Sequence, residues 1–545
     1  MIPTQVEREL PRRPGLASIG RAGRRLDAGT ILALCVLAAI ARRPGYLLSH
    51  SLWLDEGWVA DSVRAPLSQI RMLTSSTPIG WTLLLRLVPH LGPPERLRLL
   101  PLAFGVAAVV AAWCLGRMLG RVQAVAAAAG AALAPSSLAN HNLKQYSADV
   151  LVTLALLALG ARLEARWSRG RLLALCLLCP PALLVSHVTV FVSAALLGAL
   201  ALLALLERDR ARLAATLALG AATGLVEGVL YATLASPGNN TGMQSFWAAT
   251  FVPLHEGPWR AAAFVGGRLS LALGQVGLGP PLLAAALVAC GVAVLWRAGL
   301  RATALAVPLL AALLVLAAAA RRYPLLDERT SLFFTTLLTV LGCLAIGQVA
   351  AWALRARPRL PASGRRARLA VATAAIVGAA LLLVPAAARA AAKPSPGSSI
   401  GQQVSYVLDH RQPGDTVVVG WAASFPFAYY WPGRLRFSPE TNGSAVLFQV
   451  DPPATGEVVI TPRWKDQRVA DLALRSGVAR SFSGRVWLVL AESGDAGPVW
   501  PAAIRGVTRD GGTVFRASPK APRLLVIGRP GEAGEGRRQP PGSGK

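Results

Sequence analysis

The stretch "SLWLDEGWVA", Ser51–Ala60, places two adjacent acids between tryptophans, directly after the first long apolar run of the chain. A carboxylate at the edge of a bilayer costs free energy, and acids in such positions usually have a function. Trp53 and Trp58 suit the membrane–water interface, where tryptophan is enriched. The stretch therefore predicts a membrane protein with a polar site at interface depth.

The composition supports this fold class. Of the 545 residues, 54% are hydrophobic and only 15% are charged, and the mean hydropathy is +0.48. A soluble domain is far more polar. Apolar runs near the ~20 residues that cross a bilayer recur from about residue 28 to 390. We predict a polytopic α-helical membrane protein with about eleven spans: 28–48, 97–116, 121–139, 147–163, 171–186, 188–206, 213–235, 278–296, 302–320, 331–354 and 369–388.

The formal charge of +29 comes mainly from arginines that lie between the spans, as in "GRMLGR" (116–121) and "ERDRAR" (207–212). A nucleic-acid-binding protein would gather such charge in one patch. The positive-inside rule instead places these connectors in the cytoplasm. The outer side then receives residues 49–96, 140–146, 186–187, 236–277, 321–330 and everything after about 390. We expect a bacterial plasma membrane protein with a cytoplasmic N-terminus and an extracytoplasmic C-terminal domain.

Four regions follow from this pattern. Residues 1–27 form a basic cytoplasmic tail, and residues 28–390 form the transmembrane domain with a long first outer loop, 49–96. Residues 394–528 read as a small α/β domain, since "TVVVG", "EVVIT", "VWLVLA" and "RLLVIG" have the pattern of buried strands. Residues 529–545 have the composition of a disordered tail.

The acidic pair is the first candidate site. Adjacent residues of a helix point about 100° apart, so Asp55 and Glu56 cannot both face one cavity. One acid would act as a general base or metal ligand while the other supports it. Alternatively, both acids simply favour the positive end of a helix. In that case they have no catalytic role.

A second candidate is "NHNLKQYSADVL", residues 140–151. Lys144 could neutralise a phosphate and Tyr146 could hydrogen-bond it, with His141 in support. Alternatively, Lys144 and Tyr146 only anchor the interface. Asp149 enters a span, where an acid needs a partner such as Lys144 or an arginine of the first outer loop.

A third candidate is "RRYPLLDERTSLFF", residues 321–334. Arg321, Arg322 and Arg329 could hold an anionic lipid head group. Asp327 and Glu328 lie beside them, so the loop could also pair with itself. Histidines on the outer side lack metal-ligand spacing. The sequence therefore predicts no specific cofactor, although it is compatible with a divalent metal.

The order of these segments resembles the C-type glycosyltransferases. The segments are "LWLDE", "TPIGWTLLLRL", "RLLPLAFGVAAV", "LKQYSADVL" and "YPLLDERTSLFF". A first loop with two amphipathic interfacial helices, carrying Trp53, Trp58 and Trp81, fits the same pattern. The likeness covers about residues 30–350. It is greatest to the family-39-like branch, which is akin to protein O-mannosyltransferases and aminoarabinose transferases.

The resemblance implies transfer of a sugar, with inversion, from a polyprenyl-phosphate-linked donor to an envelope glycan, lipid or protein acceptor. It assigns the catalytic centre to Asp55, with Glu56 beside it. Thr77 stands where many relatives carry the histidine of a His-Pro-Pro turn, so a role for that histidine is in doubt. A lipid-linked glycan flippase and a non-catalytic envelope-assembly protein are the alternatives.

Overall fold

The computed structural model describes residues 21–74, 77–88, 94–140, 142–235, 241–355, 362–392, 398–433, 435–439, 448–462, 466–481, 485–492, 498–510, 513–518 and 521–528. The expected tail, 529–545, lies outside this part of the chain. Eighteen α-helices precede the C-terminal domain: α1 Arg21–Ala41, α2 Pro44–Leu47, α3 Leu54–Arg64, α4 Ile70–Leu73, α5 Ile79–Leu85, α6 Leu99–Arg117, α7 Arg121–Leu133, α8 Pro135–Ala139, α9 Tyr146–Ala165, α10 Arg169–Leu183, α11 Thr189–Leu206, α12 Arg210–Leu230, α13 Thr241–Phe246, α14 Pro258–Gly274, α15 Pro281–Arg297, α16 Arg301–Ala319, α17 Leu332–Leu354 and α18 Ala362–Ala392 among the described residues.

The polytopic helical class is confirmed. Within the described ranges, seven helices are long and apolar enough to cross a membrane: Glu95–Arg117, Arg121–Ala139, Thr189–Leu206, Arg210–Leu234, Arg301–Ala319, Leu332–Leu354 and Arg366–Ala392. The other four predicted spans fall on α1, α9, α10 and α15. Whether these four cross the bilayer stays a prediction.

Small residues let the transmembrane helices approach closely. A Cβ added to Gly116 of α6 would lie 2.6 Å from the Cα of Ala124 in α7. One added to Gly291 of α15 would lie 2.1 Å from the carbonyl oxygen of Leu341 in α17. Helices inside a bilayer associate through such contacts, because the lipid offers no hydrophobic driving force between them.

The C-terminal domain is α/β, as predicted. Its strands are β1 Thr416–Val419, β2 Arg436–Pro439, β3 Phe448–Asp451, β4 Val458–Ile460, β5 Arg485–Val489, β6 Thr513–Ser518 and β7 Ala521–Gly528. Its helices are α19 Ile400–His410, α20 Trp421–Tyr430, α21 Gln467–Arg480 and α22 Val499–Arg509. The main sheet has the order β4-β1-β5-β7-β6, and β2 and β3 form a separate antiparallel pair. Strand β1 runs parallel to β4 and β5, whereas β7 is antiparallel to β5 and β6.

Helix α3 connects the two parts of the chain. Trp58 and Leu73 of the first outer loop share one hydrophobic cluster with Phe425 and Phe448 of the C-terminal domain. Gly57 of α3 meets α20 so closely that an added Cβ would lie 2.4 Å from the backbone nitrogen of Pro426. Helix α3, which carries the acidic pair, is therefore held in place by α20 of the C-terminal domain.

The expectation of an interfacial, amphipathic α3 is wrong. Every residue from Glu56 to Val63 is buried. Trp58 is only 5% exposed and donates a hydrogen bond to the Leu73 carbonyl at 2.9 Å. Trp81 is fully buried and donates to the Leu143 carbonyl at 2.8 Å. Trp58 packs inside the protein because Phe425 of α20 covers the face that the sequence would leave to lipid, whereas Trp81 packs edge-on against Phe104 of α6.

Candidate active site

Glu56 occupies a closed position at the start of α3. The residue is 2% exposed, and its carboxylate takes two bonds from Arg98: Nη2 to Oε2 at 2.5 Å and Nε to Oε1 at 2.9 Å. The backbone N–H of Leu143 also donates to Oε1 at 3.2 Å. Both carboxylate oxygens are thus engaged within the protein. The arrangement agrees with a supporting role for Glu56, which stays a prediction.

Arg98 extends this arrangement to the backbone before α3. Its guanidinium donates to the carbonyls of Leu47, His50 and Ser51 at 2.5, 2.6 and 3.1 Å. Sequence reasoning missed Arg98, which stands in "RLRLLPL" at the start of a span and could equally have been an interface anchor. The Glu56–Arg98 pair therefore fixes the path of the chain into α3.

Asp55 lies in a different environment. Its side chain is 15% exposed, and Oδ2 lies 3.1 Å from Nη1 of Arg329 and 3.7 Å from Nζ of Lys144. Lys144 also lies 4.8 Å above the ring of Trp58. The structure thus brings together one member of each predicted segment, although Asp55 and Arg329 are 274 positions apart. We call Asp55, Lys144 and Arg329 the Asp55 cluster.

The two cations respond differently to their burial. Burial lowers the pKa of Lys144, against the opposing effect of Asp55, and the net direction is downward. Burial would also lower the pKa of Arg329, but Asp55 and Tyr146 raise it, with a net increase. Arg329 is therefore a permanent cation in the cluster, whereas Lys144 can lose its proton more readily than an ordinary lysine.

A tight turn holds Arg329 in place. Asp327 accepts hydrogen bonds from the backbone N–H groups of Arg329 and Thr330 at 3.0 and 3.2 Å. The hydroxyl of Tyr323 donates to the Thr330 carbonyl at 2.6 Å. Asp327 thus supports the arginine through the backbone, while Glu328 is exposed.

Two predicted phosphate-binding residues, Arg321 and Arg322, are not paired with the Asp55 carboxylate. Arg321 packs 5.4 Å over the ring of Phe251, and Arg322 lines the rim of a nearby cavity. In the part of the chain that the structure describes, no ion pair joins either arginine to Asp55. Thr77 is 4% exposed, and its backbone N–H donates to the Thr74 carbonyl at 3.0 Å. His141 lies outside the described residues.

A cavity of about 430 Å³ adjoins the Asp55 cluster. Tyr146, Trp247 and Thr330 lie in its wall, and Arg329 stacks 5.8 Å over the ring of Trp247. Asp55 itself is not in the wall, so the cluster borders the cavity through these neighbours. The volume is within the range of ~300–1,000 Å³ that is usual for small-molecule sites.

Two buried acids of the spans take serine partners. Ser186 donates to Asp149 Oδ1 at 2.7 Å, whereas Lys144, the expected partner, pairs with Asp55. Ser193 donates to Glu227 at 2.9 and 3.2 Å, a hydrogen bond between two transmembrane helices. No group of three or more metal-ligating side chains is gathered among the residues with described positions, which leaves metal dependence to experiment.

No protein-family model and no curated protein matches the chain. Among solved structures, ArnT from Cupriavidus metallidurans superposes in its apo state with a TM-score of 0.53 at 16% identity, covering 93% of this chain and 98% of ArnT. ArnT bound to undecaprenyl phosphate gives 0.51 and 16%, covering 92% and 98%.

An oligosaccharyltransferase from Archaeoglobus fulgidus, tethered to an acceptor peptide, is also similar. Its TM-score is 0.50 at 12% identity, covering 75% of this chain. The chain spans 63% of the length of that oligosaccharyltransferase. These likenesses show that the chain has the fold of the C-type glycosyltransferases.

Proposed function

We propose that this protein is a membrane glycosyltransferase. It transfers a sugar from a polyprenyl-phosphate-linked donor to an envelope glycan, lipid or protein acceptor, at the outer face of a bacterial plasma membrane. The observation that carries the proposal is the Asp55 cluster, in which a carboxylate lies between two cations beside a cavity. The undecaprenyl phosphate bound to ArnT supports a lipid-phosphate donor.

Asp55 acts as the general base. The acceptor hydroxyl is a weak nucleophile, and Asp55 takes its proton as the oxygen attacks the anomeric carbon. The bond between the anomeric carbon and the phosphate oxygen breaks, and the electron pair leaves with the lipid phosphate. A single displacement of this kind inverts the anomeric centre.

The two cations suit this step because negative charge moves during it. Asp55 becomes neutral as it gains the proton, while the departing phosphate gains negative charge. Lys144 and Arg329, which lie within ion-pair distance of Asp55, can then stabilise the phosphate. Fixed cations that meet charge as it develops lower the barrier without proton transfer.

The cavity supplies an environment for the lipid end of the donor. Val188, Val190, Phe191 and Phe251 form an apolar part of its wall, and Arg322 stands at its rim. The donor joins an apolar isoprenoid chain to an anionic phosphate, so its binding site needs an apolar surface next to a cation. The arginine-rich connectors support the orientation in which this site faces outward.

Transfer of radiolabelled sugar from polyprenyl-phosphate donors by the purified, reconstituted protein tests the proposal. We expect turnover by the wild type and a loss of about 10²- to 10⁴-fold in Asp55→Asn. Asp61→Asn is the matched control on the same helix. Burial raises the pKa of Asp61 well above its usual range, although Arg64 opposes this. Asparagine resembles the protonated form that burial favours, so activity should be kept. Full turnover by Asp55→Asn would exclude Asp55 as the base.

A further inference from the structure

Part of the wall of the cavity beside the Asp55 cluster is polar. Gln145, Asp149, His187 and Thr330 belong to it. Gln145 is only 8% exposed, so it is more than nine-tenths buried. Its Oε1 atom and the Thr330 hydroxyl are buried and have no hydrogen-bond partner in the described structure.

Unpartnered buried polar atoms are costly. A donor or acceptor that is removed from water without a partner costs about 1–3 kcal/mol, and native structures contain few of them. Two such atoms lie in the wall of this one cavity. They indicate a ligand that completes their hydrogen bonds.

The chemistry of the wall restricts this ligand. The free Gln145 atom is a carbonyl oxygen, which only accepts, and Asp149 offers a carboxylate whose described partner is the Ser186 hydroxyl. Desolvation lowers the pKa of His187 to about 4, so its ring is neutral near pH 7. This part of the wall therefore favours an uncharged group that carries hydrogen-bond donors.

We propose that this polar wall binds the sugar ring of the donor, with Gln145 and Thr330 reading its hydroxyl groups. The inference rests on the proposed function and names the part of the donor that the cavity recognises. Gln145 directly follows Lys144, and Thr330 directly follows Arg329. Each of these two residues is thus the chain neighbour of a cation of the Asp55 cluster, which suits a sugar that is joined to a phosphate.

Binding to the full-length protein in nanodiscs tests this inference without turnover. A fluorescent polyprenyl phosphate would be displaced by unlabelled polyprenyl phosphate, by its glucose, mannose, galactose and arabinose conjugates, by their monodeoxy analogues, and by an amino-sugar conjugate. In the wild type, we expect at least one hydroxylated sugar lipid to bind about 3- to 10-fold more tightly than its deoxy analogue, the effect of one hydrogen bond.

Gln145→Met removes the acceptor at similar size and should abolish the discrimination, while the affinity for bare polyprenyl phosphate stays unchanged. Thr330→Val should do the same at another ring position, because its backbone contacts remain. Gln275→Met is the matched control, since Gln275 Oε1 is also buried without a partner and does not line this cavity.

Full discrimination by both Gln145→Met and Thr330→Val would overturn the inference. So would a wild type that binds sugar-bearing and bare lipids equally, or one that prefers only the amino-sugar lipid. Because the readout is binding, a protein that binds sugar lipids selectively but transfers nothing would disprove the proposed function alone.

Discussion

Two neighbouring acids of α3 have contrasting surroundings. Glu56 is 2% exposed and bound on both oxygens by Arg98, whereas the Asp55 side chain is 15% exposed and meets its cations through one oxygen. A fully engaged, buried ion pair holds a fold in place, since removing one partner leaves an uncompensated charge. An open ion pair beside a cavity can exchange its partner for a substrate. A single residue step along the helix thus separates a buried, fully paired acid from the acid that we propose as the base.

The largest effect on stability is expected from breaking the Glu56–Arg98 pair. Glu56→Ala leaves the guanidinium of Arg98 buried without its counter-charge, which costs about 3–5 kcal/mol. Thermal unfolding in detergent should show a large loss of stability, and turnover should fall in proportion to the folded fraction. A Glu56→Ala protein as stable as the wild type would contradict the structural role of the pair.

Removing a cation of the Asp55 cluster should lower turnover and leave thermal stability close to that of the wild type, the opposite of the effect of Glu56→Ala. Arg329→Met keeps much of the side chain's length but removes the charge that faces the leaving phosphate. We expect turnover to fall about 10²- to 10³-fold, with thermal stability close to that of the wild type, because the pair is partly exposed. Arg321→Met is a control, since that side chain packs on Phe251 rather than on Asp55. Equal losses of turnover in Arg329→Met and Arg321→Met would show that Arg329 has no particular role in transfer.

The contact between α3 and α20 can be opened by one methyl group. Gly57→Ala would place a Cβ 2.4 Å from the backbone of Pro426. Overpacking of this kind costs about 1–3 kcal/mol. Thermal unfolding measures that loss. Gly198→Ala is a matched control in α11, because nothing lies within 4 Å of the added Cβ. A Gly57→Ala protein as stable as Gly198→Ala would show that α20 does not confine α3.

The smallest effect is a shift in pH dependence. The pKa of Lys144 lies below its usual value, so the lysine loses its charge, and its hold on phosphate, as pH rises through that lowered pKa. We expect kcat/KM to decline on the alkaline side below pH ~10.5. Lys144→Arg should move this decline to higher pH, because guanidinium keeps its proton. If kcat/KM declined at the same alkaline pH in both proteins, a group other than Lys144 would be responsible for the decline.

Much of the fold could be predicted from the sequence because apolar runs of membrane length and buried strands leave local patterns. Each of the eleven predicted spans overlaps a helix, although the first, 28–48, runs past the end of α1 at Ala41. The burial of α3 could not be predicted, because it depends on α20, more than 350 residues later in the chain. Before that contact is known, Trp58 suits a lipid interface and a protein core equally well.

The candidate site was predictable in its parts but not in its assembly. Asp55, Lys144 and Arg329 each stand in a segment that the sequence marked as polar in an apolar context. The local sequence does not indicate which of Arg321, Arg322 and Arg329 lies beside Asp55. Arg329 does so because Asp327 accepts two backbone hydrogen bonds in the turn that positions it. The sequence does not distinguish Arg98 from other arginines, because arginine is common at the end of a membrane span.

The most direct test compares Asp55→Asn and Glu56→Gln at equal amounts of folded protein, measuring the melting temperature and sugar transfer from a polyprenyl-phosphate donor. We predict that Asp55→Asn melts close to the wild type but loses transfer about 10²- to 10⁴-fold. Glu56→Gln should melt clearly lower, while its folded fraction retains transfer. The reverse pattern, with transfer kept in Asp55→Asn and lost in well-folded Glu56→Gln, would contradict the assignment of the base.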